Sequence, residues 1–199
     1  MTAAVSGGSS LMVRCADVTV TRAVAAALVP HVRAGDVVRL VGEMGAGKTA
    51  FTQGLAAAAG VIDAVTSPTF ILMRPYPTAL GLDLLHVDLY RLDTAAQVAN
   101  LGLDELVSDD AFAVIEWGER EAGQLGPDHL DVRITRPGND DRRDLELCAS
   151  GVTWAERWEA VAADVVSAAG VDAVPAGDTA SDVDTASKVG TAPGQGGRP

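Results

Sequence analysis

The residues with the clearest chemical meaning form the segment GEMGAGKT, which matches the pattern G-x-x-x-x-G-K-[ST]. The apolar segment DVVRLVG precedes it and the helical pattern AGKTAFTQGLAAAAG opens within it, which is the setting of a phosphate-binding loop. Its glycines allow close approach of the backbone to a phosphate, and the amide groups at the helix start point toward the phosphate oxygens. We therefore predict that a nucleoside triphosphate is bound by Gly42, Glu43, Met44, Gly45, Ala46, Gly47, Lys48 and Thr49.

The last two residues of this loop carry the charged and metal-binding chemistry. The ammonium group of Lys48 is expected to neutralise the β- and γ-phosphates, and the hydroxyl group of Thr49 to bind Mg²⁺. Lys48 is thus also a candidate catalytic residue, because it stabilises the charge that develops on the γ-phosphate.

Two acidic residues are candidates for holding the metal and activating water. Asp88 lies in LLHVDLYR, where it alternates with His86 and Tyr90, and Glu116 ends the apolar run AFAVI. In an open α/β sheet the ligand binds beyond the carboxyl ends of the strands, where both acids are expected. Either one could hold Mg²⁺ or position the attacking water. The alternative is that each is a strand-end carboxylate that faces solvent or pairs with a helix terminus.

The segment TSPTF follows the phosphate-loop helix and places hydroxyl groups on both sides of a proline. Proline stiffens the chain there, so Ser67 or Thr69 could sense the γ-phosphate as part of a switch segment. An ordinary junction between a loop and a strand would have the same residues, and the sequence does not separate these two interpretations.

Strand and helix patterns alternate along the chain, which predicts an α/β fold. We expect a disordered N-terminus over residues 1–10, one domain over residues 11–170, and a disordered low-complexity tail over residues 171–199, because the tail has too few apolar groups to offset its ordering entropy. The clearest helix is near the end of the domain. Thr153 and Glu156 are predicted to cap it, with Trp154 and Trp158 on its buried face.

Composition narrows the class of protein. The net charge of −12 argues against direct binding of nucleic acid through the overall field. We find no apolar run near the roughly 18 residues of a membrane span and no secretory signal, so we expect a cytoplasmic protein without membrane contact. Cys15 and Cys148 are expected to be buried and reduced.

The segments GEMGAGKT, SPTF, HVDLYRL, LGLDEL and VIEW, in this order and spacing, resemble the bacterial TsaE (YjeE) family over roughly residues 15–165. The resemblance implies a P-loop NTPase fold with a mixed central sheet flanked by helices, with ATP and Mg²⁺ as cofactors. It also implies a role in making threonylcarbamoyladenosine in tRNA, beside a threonylcarbamoyltransferase heterodimer of TsaD and TsaB type. Contact with tRNA would then be indirect, through that complex.

The resemblance also implies roles for single residues. It places Glu116 and Asp88 on acidic positions of the family and Trp117 on a functionally important tryptophan, which we expect to contact the switch segment or a partner. It places Thr21 and Arg143 near the base of the nucleotide. This sequence departs from the common GDLGAGKTT at three positions and has GER after VIEW, so the contacts after Trp117 are expected to differ.

Three functions fit the sequence. The first is an ATPase subunit of the tRNA-modifying machinery, slow unless it is partnered. The second is a P-loop small-molecule kinase, although an arginine-bearing lid is missing from the pattern. The third is an interaction protein that uses ATP binding as a switch. A GTPase is disfavoured because the sequence lacks an N-K-x-D motif.

Overall fold

The computed structural model describes residues 9–107, 110–120, 126–170 and 174–175. The strands in this part of the chain are β1 (Ser9–Cys15), β2 (Val37–Val41), β3 (Met73–Pro77), β4 (Asp83–Asp88), β5 (Ala111–Glu116), β6 (His129–Thr135), β7 (Arg143–Ser150) and β8 (Val174–Pro175). The α-helices are α1 (Val18–Ala26), α2 (Lys48–Ala58), α3 (Ala95–Ala99), α4 (Leu103–Leu106) and α5 (Val152–Ala169). Short 3₁₀ helices cover Val29–His31 and Gly118–Arg120.

The strands form one mixed sheet in the order β3-β4-β5-β2-β6-β7-β1-β8. The four central strands, β4, β5, β2 and β6, are parallel, and the outer strands on each side are antiparallel. The predicted α/β fold with a mixed central sheet is therefore confirmed. Because β2, β4 and β5 run in the same direction, their carboxyl ends meet at one edge of the sheet, where the phosphate loop begins.

Helices cover both faces of the sheet, so the central strands are buried on both sides. One apolar cluster includes Phe51 of α2 and Trp154 of α5, and a second includes Val98 of α3. Every residue of β5 is buried, whereas β6 and β7 alternate between buried and more exposed positions. This contrast is typical of parallel strands enclosed by helices beside antiparallel strands with one solvated face.

The packing of α1 on α2 depends on a glycine. A Cβ atom at Gly54 would lie 2.5 Å from the backbone oxygen of Arg22 and 2.6 Å from its Cα. The two helix backbones therefore touch at this point, and no larger residue fits without moving one helix away from the other.

Several boundaries differ from the sequence predictions. Ser9 and Ser10 pair with Ala149 and Cys148, although both lie in the segment 1–10 that we expected to be disordered. Val174 and Pro175 lie in the segment 171–199 that we expected to be disordered, and they pair with the edge of β1, which offers backbone hydrogen-bonding groups there. Residues 1–8, 171–173 and 176–199, also assigned to these end segments, lie outside the described residues.

The predicted capping box of the last helix is also wrong. The helix α5 begins at Val152 after Gly151, and no side chain of the N-cap residue caps it. Instead, Asp128 Oδ1 accepts hydrogen bonds from the backbone and the side chain of Thr153. A residue 25 positions earlier in the sequence thus supplies the acceptor.

None of the helices in the described residues is long and apolar enough to cross a membrane.

Candidate functional site

The phosphate-loop motif lies between the carboxyl end of β2 and the start of α2. Gly42 lies against β6, where a Cβ atom would be 2.4 Å from the backbone oxygen of Ile134. Gly47, the N-cap of α2, has φ of 115° and no side chain with which to cap the helix. The first amide groups of α2 therefore have no capping side chain, and their partial positive charge is available to an anion.

Lys48 is buried at the first position of α2. Its Nζ donates to the carbonyl oxygens of Gly42, at 2.7 Å, and Glu43, at 2.9 Å. Burial lowers the pKa of this ammonium group, while the nearby negative charges of Glu116, Glu119 and Asp88 act in the opposite direction. Lys48 is thus a partly desolvated cation held by neutral carbonyl groups.

Glu116 accepts two hydrogen bonds on one oxygen. Thr49 Oγ1 lies 2.8 Å from Glu116 Oε1, and His86 Nε2 lies 2.8 Å from the same atom. Glu116 is 4% exposed, so a strand-end carboxylate facing solvent, the alternative considered above, is wrong here. The structure brings Glu116 together with the hydroxyl group that was predicted to bind the metal.

Asp88 connects the neighbouring strand to the TSPTF segment. Its Oδ2 accepts hydrogen bonds from Ser67 at 2.8 Å and Thr69 at 2.6 Å, and its Oδ1 accepts one from the amide of Tyr90. Asp88 is 2% exposed and lies directly opposite Glu116 in the register of β4 and β5. The solvent-facing alternative is therefore wrong for Asp88 as well, and both hydroxyl residues of the predicted switch segment contact this acid.

Trp117 follows Glu116 with φ of 62°, a left-handed conformation that is uncommon for a large side chain. Its ring lies 3.8 Å from Lys48 Nζ, and its centroid lies 5.2 Å from that of Tyr90. Arg120, in the segment GER, lies near both rings and donates to the backbone oxygens of Tyr90 and Leu92. The structure thus places Trp117 on the phosphate-loop lysine, a contact that the sequence did not indicate.

Thr21 and Arg143 line a common pocket of about 220 Å³, together with Asp17, Val18, Gly47, Ala50 and Asp141. Arg143 Nε donates to the backbone oxygen of Ala46 at 2.7 Å, which ties β7 to the phosphate loop. Thr21 is buried, and its hydroxyl group donates to the backbone oxygen of Asp17. Two residues that are more than 120 positions apart in the sequence therefore border the same space, beside Gly47.

Sequence reasoning missed four contributors to this region. His86 was identified only as a neighbour of Asp88 on one strand face, although that alternation already placed it on the side of the site. Asp17 and Asp141 had no signal beyond their position before a helix and in a turn. Arg120 could be noticed only as part of a departure from the usual residues after VIEW.

The oxygen atoms at this edge of the sheet fit a hard cation such as Mg²⁺. Two buried carboxylates and the Thr49 hydroxyl group lie beside the phosphate loop, and oxygen ligands are what Mg²⁺ prefers. Within the described residues, no group of three or more His, Cys, Asp or Glu side chains forms a metal site. Such a sparse set fits a metal that is shared with substrate phosphates and keeps several waters.

Comparisons with known proteins identify the family. The family model described as Threonylcarbamoyl adenosine biosynthesis protein TsaE matches residues 15–145. The chain belongs to the TsaE family. It is 44% identical over 128 residues to TsaE of Streptomyces coelicolor, covering 62% of this chain and 86% of the relative. It is 37% identical over 131 residues to TsaE of Bacillus subtilis, covering 66% of this chain and 80% of the relative.

A solved structure supports the same assignment for the fold. The crystal structure of Bacillus subtilis YdiB superimposes with a TM-score of 0.65 and 30% sequence identity, covering 80% of this chain and 96% of that chain. The predicted TsaE membership is therefore confirmed, and so is the P-loop NTPase type of fold.

Proposed function

We propose that this chain is an Mg²⁺-dependent ATPase that serves the biosynthesis of threonylcarbamoyladenosine in tRNA. The names of the family and of the relatives support the pathway. The observation that carries the ATPase proposal is the 2.8 Å hydrogen bond between Thr49 and Glu116, at the start of the helix that bears Lys48. It joins a phosphate-loop hydroxyl to a buried carboxylate, the pair that a magnesium-bound triphosphate requires.

Lys48, Thr49 and the backbone amides of the loop have different roles in this proposal. Lys48 exchanges its two carbonyl partners for phosphate oxygens and stabilises the charge that develops on them. The loop amides and the start of α2 hold the remaining oxygens. Magnesium would be held by Thr49 with Glu116 or Asp88, and when bound it neutralises phosphate charge.

The two acids have different contacts, and we assign them different duties. Glu116, bonded to Thr49, is the acid linked to the metal and its water. Asp88, bonded to Ser67 and Thr69, couples the TSPTF segment to the site. We propose that these hydroxyl groups change partners when a γ-phosphate is present, which gives the segment the character of a switch.

The pocket between α1 and β7 is the proposed site of the adenine base. It adjoins Gly47 of the phosphate loop, so a nucleotide with its phosphates on the loop can reach it. Arg143 and Thr21, which the TsaE resemblance places near the base of the nucleotide, both border the pocket.

The proposed partner is a threonylcarbamoyltransferase heterodimer of TsaD and TsaB type, in the cytoplasm. Phe70 and Ile71 are 84% and 62% exposed on the TSPTF loop and its continuation, beside the hydroxyl groups that contact Asp88. Exposed apolar side chains of this kind are suited to protein contact. Because the chain has a net charge of −12, we propose that its contact with tRNA is indirect, through the complex.

The test is a measurement of ATP turnover and its products, by the chain alone and with both partner proteins, with and without Mg²⁺. We expect ADP and free phosphate, dependence on Mg²⁺, and near-complete loss in Lys48→Ala. Arg142→Ala is the matched control, because its guanidinium group is exposed on the β6–β7 hairpin and pairs with Asp140. Phosphate transfer to a metabolite instead of water would replace the ATPase by a kinase. If there is no turnover under any condition but partner binding still depends on the nucleotide, the ATPase proposal is replaced by that of an ATP-binding switch.

A further inference from the structure

His86 lies within β4 and is completely buried. Its Nε2 is 2.8 Å from Glu116 Oε1, while its buried Nδ1 has no hydrogen-bond partner among the residues that the structure describes. Buried polar atoms are normally paired, so an imidazole with one unpaired nitrogen calls for an explanation. The hydrogen bond that this side chain does make goes to the acid proposed to hold the metal.

The direction of this hydrogen bond follows from the chemistry of the two groups. An ionised carboxylate can only accept, so the proton lies on Nε2 and the histidine donates. In the neutral imidazole, Nδ1 is then a lone pair without a partner. A doubly protonated ring would form a buried ion pair with Glu116, but it would leave the Nδ1–H group without an acceptor among the described residues. The contacts therefore select the neutral Nε2–H tautomer.

The two donors to Glu116 converge on a single oxygen. Thr49 Oγ1 and His86 Nε2 both donate to Oε1, and Oε2 accepts no hydrogen bond from the described part of the chain. Donors from α2 and from β4 thus hold the carboxylate from two different elements. This arrangement fixes the rotation of the group and leaves one oxygen without a protein donor.

We propose that His86 is a positioning residue for the nucleotide reaction. By donating Nε2–H to Oε1, it holds the Glu116 carboxylate so that Oε2 remains available to magnesium or to a water that the metal carries. The inference rests on the proposed ATPase function and adds a residue to it. A neutral donor suits this task, because an arginine or lysine at the same position would neutralise the charge that attracts the cation.

Two near-isosteric substitutions test which nitrogen matters. In His86→Gln the amide nitrogen can occupy the position of Nε2, and in His86→Asn it falls near Nδ1, where there is no partner. We expect His86→Asn to reduce kcat, or to raise the Mg²⁺ concentration for half-maximal turnover, by about 10- to 100-fold, the usual effect of losing such a supporting hydrogen bond. We expect His86→Gln to recover most of this loss, and the KM for ATP to change less than threefold in both.

A merely structural role predicts a different pattern. Loss of packing would lower the urea midpoint of both variants without separating their kinetics. Equal kinetics in folded His86→Asn and His86→Gln would therefore overturn the proposal. In the background of Glu116→Gln, a further His86→Asn change is expected to have little additional effect on kcat, because both act through one carboxylate. Fully multiplicative losses would also overturn it.

Nuclear magnetic resonance of the wild-type protein gives a readout that needs no turnover. The chain has three histidines, so His31→Gln and His129→Gln identify the imidazole signals of His86. We expect ¹⁵N shifts of the neutral Nε2–H tautomer and a slowly exchanging Nε2–H proton that is lost in Glu116→Ala. The opposite tautomer would overturn the inference.

If the wild type shows this signal but hydrolyses no ATP alone or with partners, the proposed function fails while the hydrogen bond stands. The positioning role is then decided by the Mg²⁺ dependence of binding to a fluorescent ATP analogue, which His86→Asn must weaken and His86→Gln must restore.

Discussion

Three carboxylates are buried among the residues that the structure describes, and they lie at opposite ends of the central strands. Asp36, before β2, accepts hydrogen bonds on both oxygens from the guanidinium group of Arg157. Asp88 and Glu116, at the carboxyl ends of β4 and β5, are bonded to hydroxyl, imidazole and amide groups instead.

The difference lies in how the buried charge is compensated, and it supports the proposed ligand-binding role of Asp88 and Glu116. The charge of Asp36 is compensated by Arg157, which also stacks on Trp154 of the same helix. The charges of Asp88 and Glu116 have no arginine or lysine salt bridge within the described residues, and Lys48 nearby is held by carbonyl groups. Burying a charge without such a salt bridge costs stability, and this supports the proposal that this edge of the sheet binds a cation.

The largest expected effect concerns the compensated acid. Asp36→Asn leaves the Arg157 guanidinium group buried without a counter-charge, which should lower the free energy of unfolding by about 3–5 kcal/mol. Urea unfolding measures this change. Asp164→Asn is the control, since Asp164 pairs with His31 with 54% of its side chain exposed and such pairs contribute about 0–1 kcal/mol. Equal effects of the two substitutions would contradict a structural role for the Asp36–Arg157 pair.

Glu116→Gln should lower activity without lowering stability, in contrast to Asp36→Asn. We expect ATP turnover to fall on the order of 100-fold, as for the loss of one group that stabilises a transition state. The urea midpoint should stay the same or rise, because a buried charge without an arginine or lysine salt bridge has been removed. Glu146→Gln, a more exposed acid that pairs with Arg133, is the matched control for turnover. A large drop in the midpoint of Glu116→Gln would place this acid with Asp36.

Gly118→Ala tests how the chain leaves the acidic edge. A Cβ atom there would lie 2.4 Å from Cβ and 3.0 Å from Cα of Arg39. Overpacking of this kind costs about 1–3 kcal/mol, and it should also displace Trp117 from Lys48. Urea unfolding and tryptophan fluorescence report the two effects. Gly138→Ala, with no atom closer than 4.0 Å to the added Cβ, should change neither. Identical results for the two glycines would show that the Gly118–Arg39 contact relaxes freely.

The smallest effect is expected for an exposed acid. Asp17 caps α1, and the amide groups of Val20 and Thr19 lower the pKa of its carboxyl below the usual 3.8. Because the folded-state pKa is the lower one, the stabilisation is present above the unfolded pKa and is lost as pH falls through the folded value. The difference in urea midpoint between wild type and Asp17→Ala should therefore be small at pH 7 and vanish below that folded pKa. A difference that grows on acidification would contradict this cap.

The location of the site could be predicted from the sequence because its determinants are local. The phosphate-loop motif between a strand and a helix specifies the edge of the sheet, and parallel strands bring the ends of β4 and β5 to that edge. That logic placed Asp88 and Glu116 near each other, and the structure pairs them in register. Their functional roles remain predictions.

The contacts that distinguish these acids could not be predicted, because they depend on register and on distant parts of the chain. The hydrogen bond of His86 to Glu116 requires the alignment of β4 with β5. The contact of Trp117 with Lys48 requires a left-handed backbone at a residue whose type disfavours it. The acceptor at the start of α5 comes from Asp128, outside any local capping pattern.

The close backbone contact between Gly54 and Arg22 has a consequence for the choice of nucleotide. It locks α1, which borders the proposed base pocket, to α2, which starts at the phosphate end of the site. In the proposed nucleotide complex, the distance between base and phosphate would be set by these two touching main chains and would not depend on the side chains that contact the ligand. Substitutions around the proposed base pocket could therefore change the preference for the base. The distance from that pocket to the phosphate loop would stay the same.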